Sequence, residues 1–222
     1  MKGEPMQQPL IAYHGNPAIK EQYLARVREH READKLIQGY GYWKNGKGCA
    51  VGCTIHSDDH YAYETELGIP VYLARLEDGI FEALPNELAQ AWPEAFLEAI
   101  PVGTNLYIPY WQFMVWLLID SEEGVIKFAR SKRTRAVIEA VGALYNRLLA
   151  GEEVSRQEWR DAADAASAAY AAYAAYAASA ASAAYAAARQ RARIRQSEKL
   201  LELLRLAPTA PATSSAPAAE AA

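Results

Sequence analysis

Residues 16–41 read NPAIKEQYLARVREHREADKLIQGYG, and everything on either side is read outward from them. Asn16 followed by Pro17 has the form of a helix N-cap with a first-turn proline. The Asn side chain can accept an amide that the first turn leaves without a partner, and proline has no amide to leave there. Ile19, Tyr23, Val27, His30 and Asp34 recur at three- and four-residue spacing, which stacks them on one helical face, while Lys20, Glu21, Arg28 and Arg31 point elsewhere. A helix is expected from Pro17 to about Gln38, stopped by Gly39 and Gly41, with His30 and Asp34 turned inward.

Downstream the same period returns. Residues 39–48, GYGYWKNGKG, mix glycine with aromatics without periodicity and read as a loop. A second helix is expected from about Cys49 to Leu67, with Gly68 as terminator and Pro70 beyond it. A third, from about Val71 to Leu84, carries Leu73, Leu76, Ile80, Phe81 and Leu84 on one face, with Glu77 in the middle of that face. The segment NELAQAWPEAFLEAI (86–100) should break or bend at Pro93, and YWQFMVWLLID (110–120) is apolar nearly all round and belongs at the centre of the fold. A helix from about Lys132 to Leu149 leads to Gly151. The fold class is all-α, with a compact multi-helix body over residues 10–150.

The pattern changes after Gly151. Ser155 and Glu158 form a capping box, and neither Gly nor Pro recurs before Pro208. Residues 151–206 are therefore expected to form an alanine-rich arm. It is either one helix of roughly 50 residues, near 75 Å long, or a helical hairpin broken around Ser179 and Ser182. Alanine is the strongest helix former, so the run from Ala162 to Ala188 needs little tertiary help. Tyr170, Tyr173 and Tyr176 recur every three residues and drift by about 60° per step around the helix. Arg189, Arg191, Arg193 and Arg195 read as a solvated face near the helix end. The leucines of KLLELLRL (199–206) should dock on the body or mediate self-association. Residues 207–222, poor in large apolar side chains, are expected to be a disordered tail.

Totals exclude several functions. The 222 residues carry a net charge of −4 and a sequence pI near 5.7, which argues against a nucleic-acid partner. No run approaches the roughly 18 consecutive apolar residues of a membrane span, and the start MKGEPMQQPL lacks the apolar centre of a secretory signal. A cytoplasmic protein without a membrane partner is expected. Two cysteines four positions apart are no disulfide framework, so both should be free thiols or metal ligands.

The chemistry concentrates in GCAVGCTIHSDDHYAYE, residues 48–64. Cys49, Cys53, His56 and His60 are spaced four, three and four, so a single helix would present all of them on one face, with Glu64 continuing the line. Thiolate and imidazole suit zinc or iron. A stripe about 16 Å long cannot close on one ion, so a metal would take one pair and borrow the rest from another segment, with His30, Asp34 and Glu77 as donors. Two other readings stay open. The cysteines can be small buried apolar groups, with the histidines bonded to Glu64 or Glu77. Alternatively, Cys49 at a helix N-terminus can be a nucleophile or redox group with His56 as base and Glu77 assisting. The GKG turn at Gly46–Gly48 lacks the ending of a phosphate loop.

Residues 135–176, RAVIEAVGALYNRLLAGEEVSRQEWRDAADAASAAYAAYAAY, resemble an alanine-rich C-terminal helical module of uncharacterised bacterial proteins and are similar to that of immunity proteins. There an Arg and an AIEA-like run precede Gly-Glu and an alanine-rich helix. The resemblance implies protection from a toxin by direct binding, without catalysis. This chain departs from it in the cysteine and histidine segment and in lacking a second, proline-punctuated repeat. Two expectations result: an interaction protein that binds a protein partner, or itself, through the arm, and a metal-binding or thiol-dependent enzyme built on Cys49, Cys53, His56 and His60.

Overall fold

The computed structural model describes residues 10–129, 131–165 and 183–209. The fold is all-α. Two short 3-10 turns, Ala12–Gly15 and Val125–Phe128, accompany α1 (Pro17–Glu32), α2 (Ala50–Ile55), α3 (Ala62–Leu67), α4 (Val71–Phe81), α5 (Asn86–Ala99), α6 (Tyr107–Ile119), α7 (Lys132–Leu149), α8 (156–165) and α9 (Ala183–Arg205). Between α1 and α2 lies a two-stranded antiparallel ribbon of β1 (Trp43–Lys44) and β2 (Lys47–Gly48), with Trp43 opposite Gly48. Among the described residues no helix is long and apolar enough to cross a membrane.

α1 begins as read: Asn16 Oδ1 accepts the Ala18 amide at 2.9 Å with Pro17 in the first turn. It ends six residues early. Asp34 takes a left-handed conformation (φ 52°) and Lys35 N returns to His30 O at 2.9 Å, a short polar side chain serving where glycine usually stands. Asp34 is consequently exposed and not on the inward face. Tyr23, Leu24, Val27 and His30 are the buried members, and Glu94 of α5 ties Arg28 and Arg31 of α1 across the interface.

The helix expected over 49–67 is two helices. α2 stops at Ile55, His56 turns left-handed (φ 55°, ψ 35°), and α3 starts only at Ala62. The intervening Ser57, Asp58 and Asp59 explain the break. Ser57 Oγ accepts the Asp59 amide and Asp59 Oδ1 accepts the Tyr61 amide, so local side-chain bonds replace helical ones. Gly68 ends α3 as expected. Its φ is 63°, and a Cβ there would sit 2.1 Å from Ile11 O.

α4 buries Leu73, Ala74, Glu77, Ile80 and Phe81. Of the expected break or bend at Pro93 there is no break: α5 is one helix through Pro93, and it packs Trp92, Phe96 and Leu97 inward. Side chains of this size each contribute about 1.5–3 kcal/mol on full burial. α6 corrects another expectation. Its apolar run is not central: only Pro109 and Phe113 are buried, and the elements it packs along are α7, α9 and the 3-10 turn Val125–Phe128. Gly142 of α7 makes that flank close, since a Cβ there would meet Ile119 Cγ2 at 2.7 Å.

The Ser155 capping box forms, with Ser155 N and Oγ each 2.8 Å from Glu158 Oε2. Leu200 and Leu204 of α9 are fully buried in the same core as Tyr13, Tyr63 and Phe96, so the leucine-rich end docks on α4, α5 and α6. The run from 166 to 182, with Tyr170, Tyr173, Tyr176 and the choice between one helix and a hairpin, lies outside the described residues, as does the tail beyond 209.

Candidate metal centre

The site is built on two glycines. Tyr42 O occupies the space a side chain would need at Gly48 and Gly52: an ideal Cβ would fall 1.8 Å and 1.4 Å from it. The backbone of 41–43 can thus lie directly on the start of α2, where the Cys49 amide donates to Gly41 O at 3.0 Å and Tyr42 O at 3.2 Å. Every residue of α2 is buried, and Cys49 at its N-cap is 1% exposed.

Opposite Cys49 stand Asp78 and Glu82, four positions apart and hence on one face at the end of α4. The Cys49 Sγ and one carboxylate oxygen from each of Asp78 and Glu82 lie within 4.8 Å of one another. His60, from the turn between α2 and α3, brings Nε2 to 4.0 Å from Asp78 Oδ2, and the Tyr42 ring meets the His60 ring edge-on at 4.8 Å. Asp78 Oδ1 is buried and has no hydrogen-bond partner. Glu82 accepts the Gly39 amide at 2.7 Å. Among the described residues no Lys or Arg forms an ion pair with Asp78 or Glu82.

The electrostatics match that gap. Burial raises the Glu82 carboxyl above its ordinary range. Burial, and then hydrogen bonding to the neighbouring Asp78 carboxylate, push the Cys49 thiol far up. Two carboxylates, a thiol and an imidazole around an orphaned carboxylate oxygen are a mixed O, S and N donor set, which suits a borderline divalent ion such as zinc. Tetrahedral coordination at zinc's usual bond lengths places ligand atoms about 3.3–3.8 Å apart, so a pair of these atoms at the 4.8 Å limit would have to close by about 1 Å or more.

The other residues of the expected stripe go elsewhere, because no single helix carries it: Cys49 is the extended N-cap of α2, Cys53 lies within it, and His56 turns left-handed at its end. Cys53 is buried with its Sγ 3.5 Å from Lys35 O and Gly48 O, and burial pushes its thiol up to about 12. Burial raises both thiols, and α2 has six residues, so desolvation of the charge opposes a thiolate at either cysteine. His56 leaves the stripe to meet His30 of α1, Nε2 to Nε2 at 2.7 Å, under the Trp43 ring stacked 4.4 Å from it. His30 Nδ1 is buried without a partner. A metal on the two Nε2 atoms would force a proton onto that Nδ1, so the pair is better served by one N–H···N bond than by an ion.

Glu77 is not among the residues gathered with Cys49. It is fully buried, accepts the Tyr63 hydroxyl at 2.6 Å, and burial raises its carboxyl well above the usual range, which favours the neutral form. Glu64 caps α4 by accepting the Val71 amide at 2.9 Å and does not extend the stripe. Of the residues gathered here, the sequence pattern singles out Cys49 and His60 and not Asp78 or Glu82. The available signal was their four-residue spacing on a helix already drawn over 71–84. No family model, curated protein or solved structure matches the chain.

Proposed function

We propose that the protein binds one divalent transition-metal ion of the zinc class through Cys49, His60, Asp78 and Glu82. The observation that carries this reading is the convergence of a buried thiol and two carboxylates within 4.8 Å, around a buried Asp78 oxygen with no partner. Four protein donors make a closed set, the pattern of a structural ion, not of one that keeps a position open for substrate. Such an ion would clamp the 39–61 segment to α4. Binding would displace the Cys49 proton, since the thiolate is the ligand.

The interaction reading has less geometry behind it. The Ala–Tyr face lies outside the described residues, and Leu200 and Leu204 are taken up by the chain's own core. Cobalt(II) titration of the metal-free protein at neutral pH tests the proposal. A thiolate-to-cobalt absorption band that saturates at one equivalent, and is lost in Cys49→Ser and strongly weakened in Asp78→Asn, is the expected result. A band that survives Cys49→Ser, or none in the wild type, would overturn it.

A further inference from the structure

We infer that the His30–His56 pair is an acid-operated latch: proton uptake opens it, frees residues 41–48 from α2, and so loosens the hold on an ion at Cys49 and His60. This rests on the metal-binding reading above and adds its regulation.

The two imidazoles share one proton across 2.7 Å. The neutral arrangement that leaves the least unsatisfied has His30 Nε2–H donating to His56 Nε2, with only a lone pair on the buried Nδ1. A second proton has two places to go. On His30 it must sit on Nδ1. On His56 it makes Nε2 a donor, which returns the His30 proton to Nδ1. Both routes create an N–H at a position that is buried and has no acceptor. Arg26 and Lys35 oppose the added charge while Glu29 and Glu66 favour it, from α1, the following loop and α3. Burial is the largest influence and holds both imidazoles below their ordinary range. The closed pair therefore excludes a second proton, and acid favours the open one.

Opening reaches the metal ligands through three consecutive residues. Trp43 stacks on His56 and meets His30 edge-on at 5.4 Å, so the pair is the floor on which the hairpin rests. The neighbouring Tyr42 ring packs on His60. The carbonyls of Gly41 and Tyr42 both accept the Cys49 amide. Losing the floor under Trp43 thus removes support from both the thiol and the imidazole of the proposed ligand set.

Amide hydrogen exchange over residues 37–49 of the metal-free protein, corrected for the intrinsic pH dependence of exchange, reads the latch without titrating a bound ion. From pH 7.5 to 5.5 the wild type should lose protection by tenfold or more. His56→Asn, which retains a residue that tolerates the left-handed conformation, should vary by less than threefold. Should that variant fail to fold, imidazole NMR of the wild type serves instead. His30 and His56 should titrate in one linked step below about 6.5, the free value. Unchanged wild-type protection, or two independent midpoints near the free value, would overturn the latch. In a separate arm, zinc at pH 7.5 should protect the same amides of the wild type and not of Cys49→Ser. Its failure would remove the metal reading, and with it the regulatory role, even where the acid response is present.

Discussion

Glu77 and the His30–His56 pair, in which His30 is buried and His56 exposed, bend the pH dependence of stability in opposite directions. The Glu77 carboxyl is raised in the folded state, so between the unfolded carboxyl value and the folded one the native protein binds the extra proton. Stability from this group is present at low pH and declines as pH rises. The histidines are lowered in the folded state, so the unfolded chain binds the extra protons, and stability falls as pH drops below about 6.5. Glu77→Gln should keep the bond from Tyr63, change stability by less than about 1 kcal/mol near pH 5, and flatten the decline towards alkaline pH in urea titrations. A steep loss at pH 5 would mean the carboxyl is ionised and paired. Asp78 and Glu77 also show why the site was half legible. Both are acidic residues in one turn of one helix, and the period marks Glu77 as inward. It says nothing of Asp78, one position round, whose importance comes from Cys49, brought opposite it by a loop of no periodicity.

At the scale of elements, helix starts were legible wherever a side chain supplies the cap, as at Asn16 and Ser155. Ends and breaks were not. The stop of α1 at Asp34 and the break at His56 both use left-handed non-glycine residues, which carry no glycine signal. The hairpin's seat on α2 depends on Gly48 and Gly52, whose role is visible only once Tyr42 O is placed against them. Gly52→Ala should destabilise the fold by about 1–3 kcal/mol through overpacking and should also abolish the cobalt thiolate band. Near-wild-type stability in thermal unfolding would show that the hairpin does not sit there. α6 teaches the converse. An all-round apolar sequence reads as central, but most of its side chains are only partly covered by α7 and α9, a matter of how many neighbours the fold supplies.

Among the described residues, the core built by α1 to α6 is completed by α9, from the far end of the chain. The leucines of α9 were legible as an apolar patch that needed a partner, and that partner is the chain's own α4, α5 and α6. Leu204→Ala should cost about 2–5 kcal/mol and lower the single unfolding transition of the entire protein. A separate, early transition confined to α9 would show that the arm folds independently of the body. An ion at Cys49 and α4 would couple to the same transition, since a ligand that binds only the folded state stabilises it by about 2.7 kcal/mol at one hundred times its dissociation constant.

The most direct measurement is the zinc content of the purified, tag-free protein at neutral pH, by plasma mass spectrometry after dialysis against zinc-buffered solution, for the wild type and Asp78→Asn in parallel. One equivalent in the wild type and a strongly reduced amount in Asp78→Asn is the result expected from a thiol, an imidazole and two carboxylates gathered at this point. No zinc in the folded wild type, or an equivalent that Asp78→Asn retains in full, would contradict it.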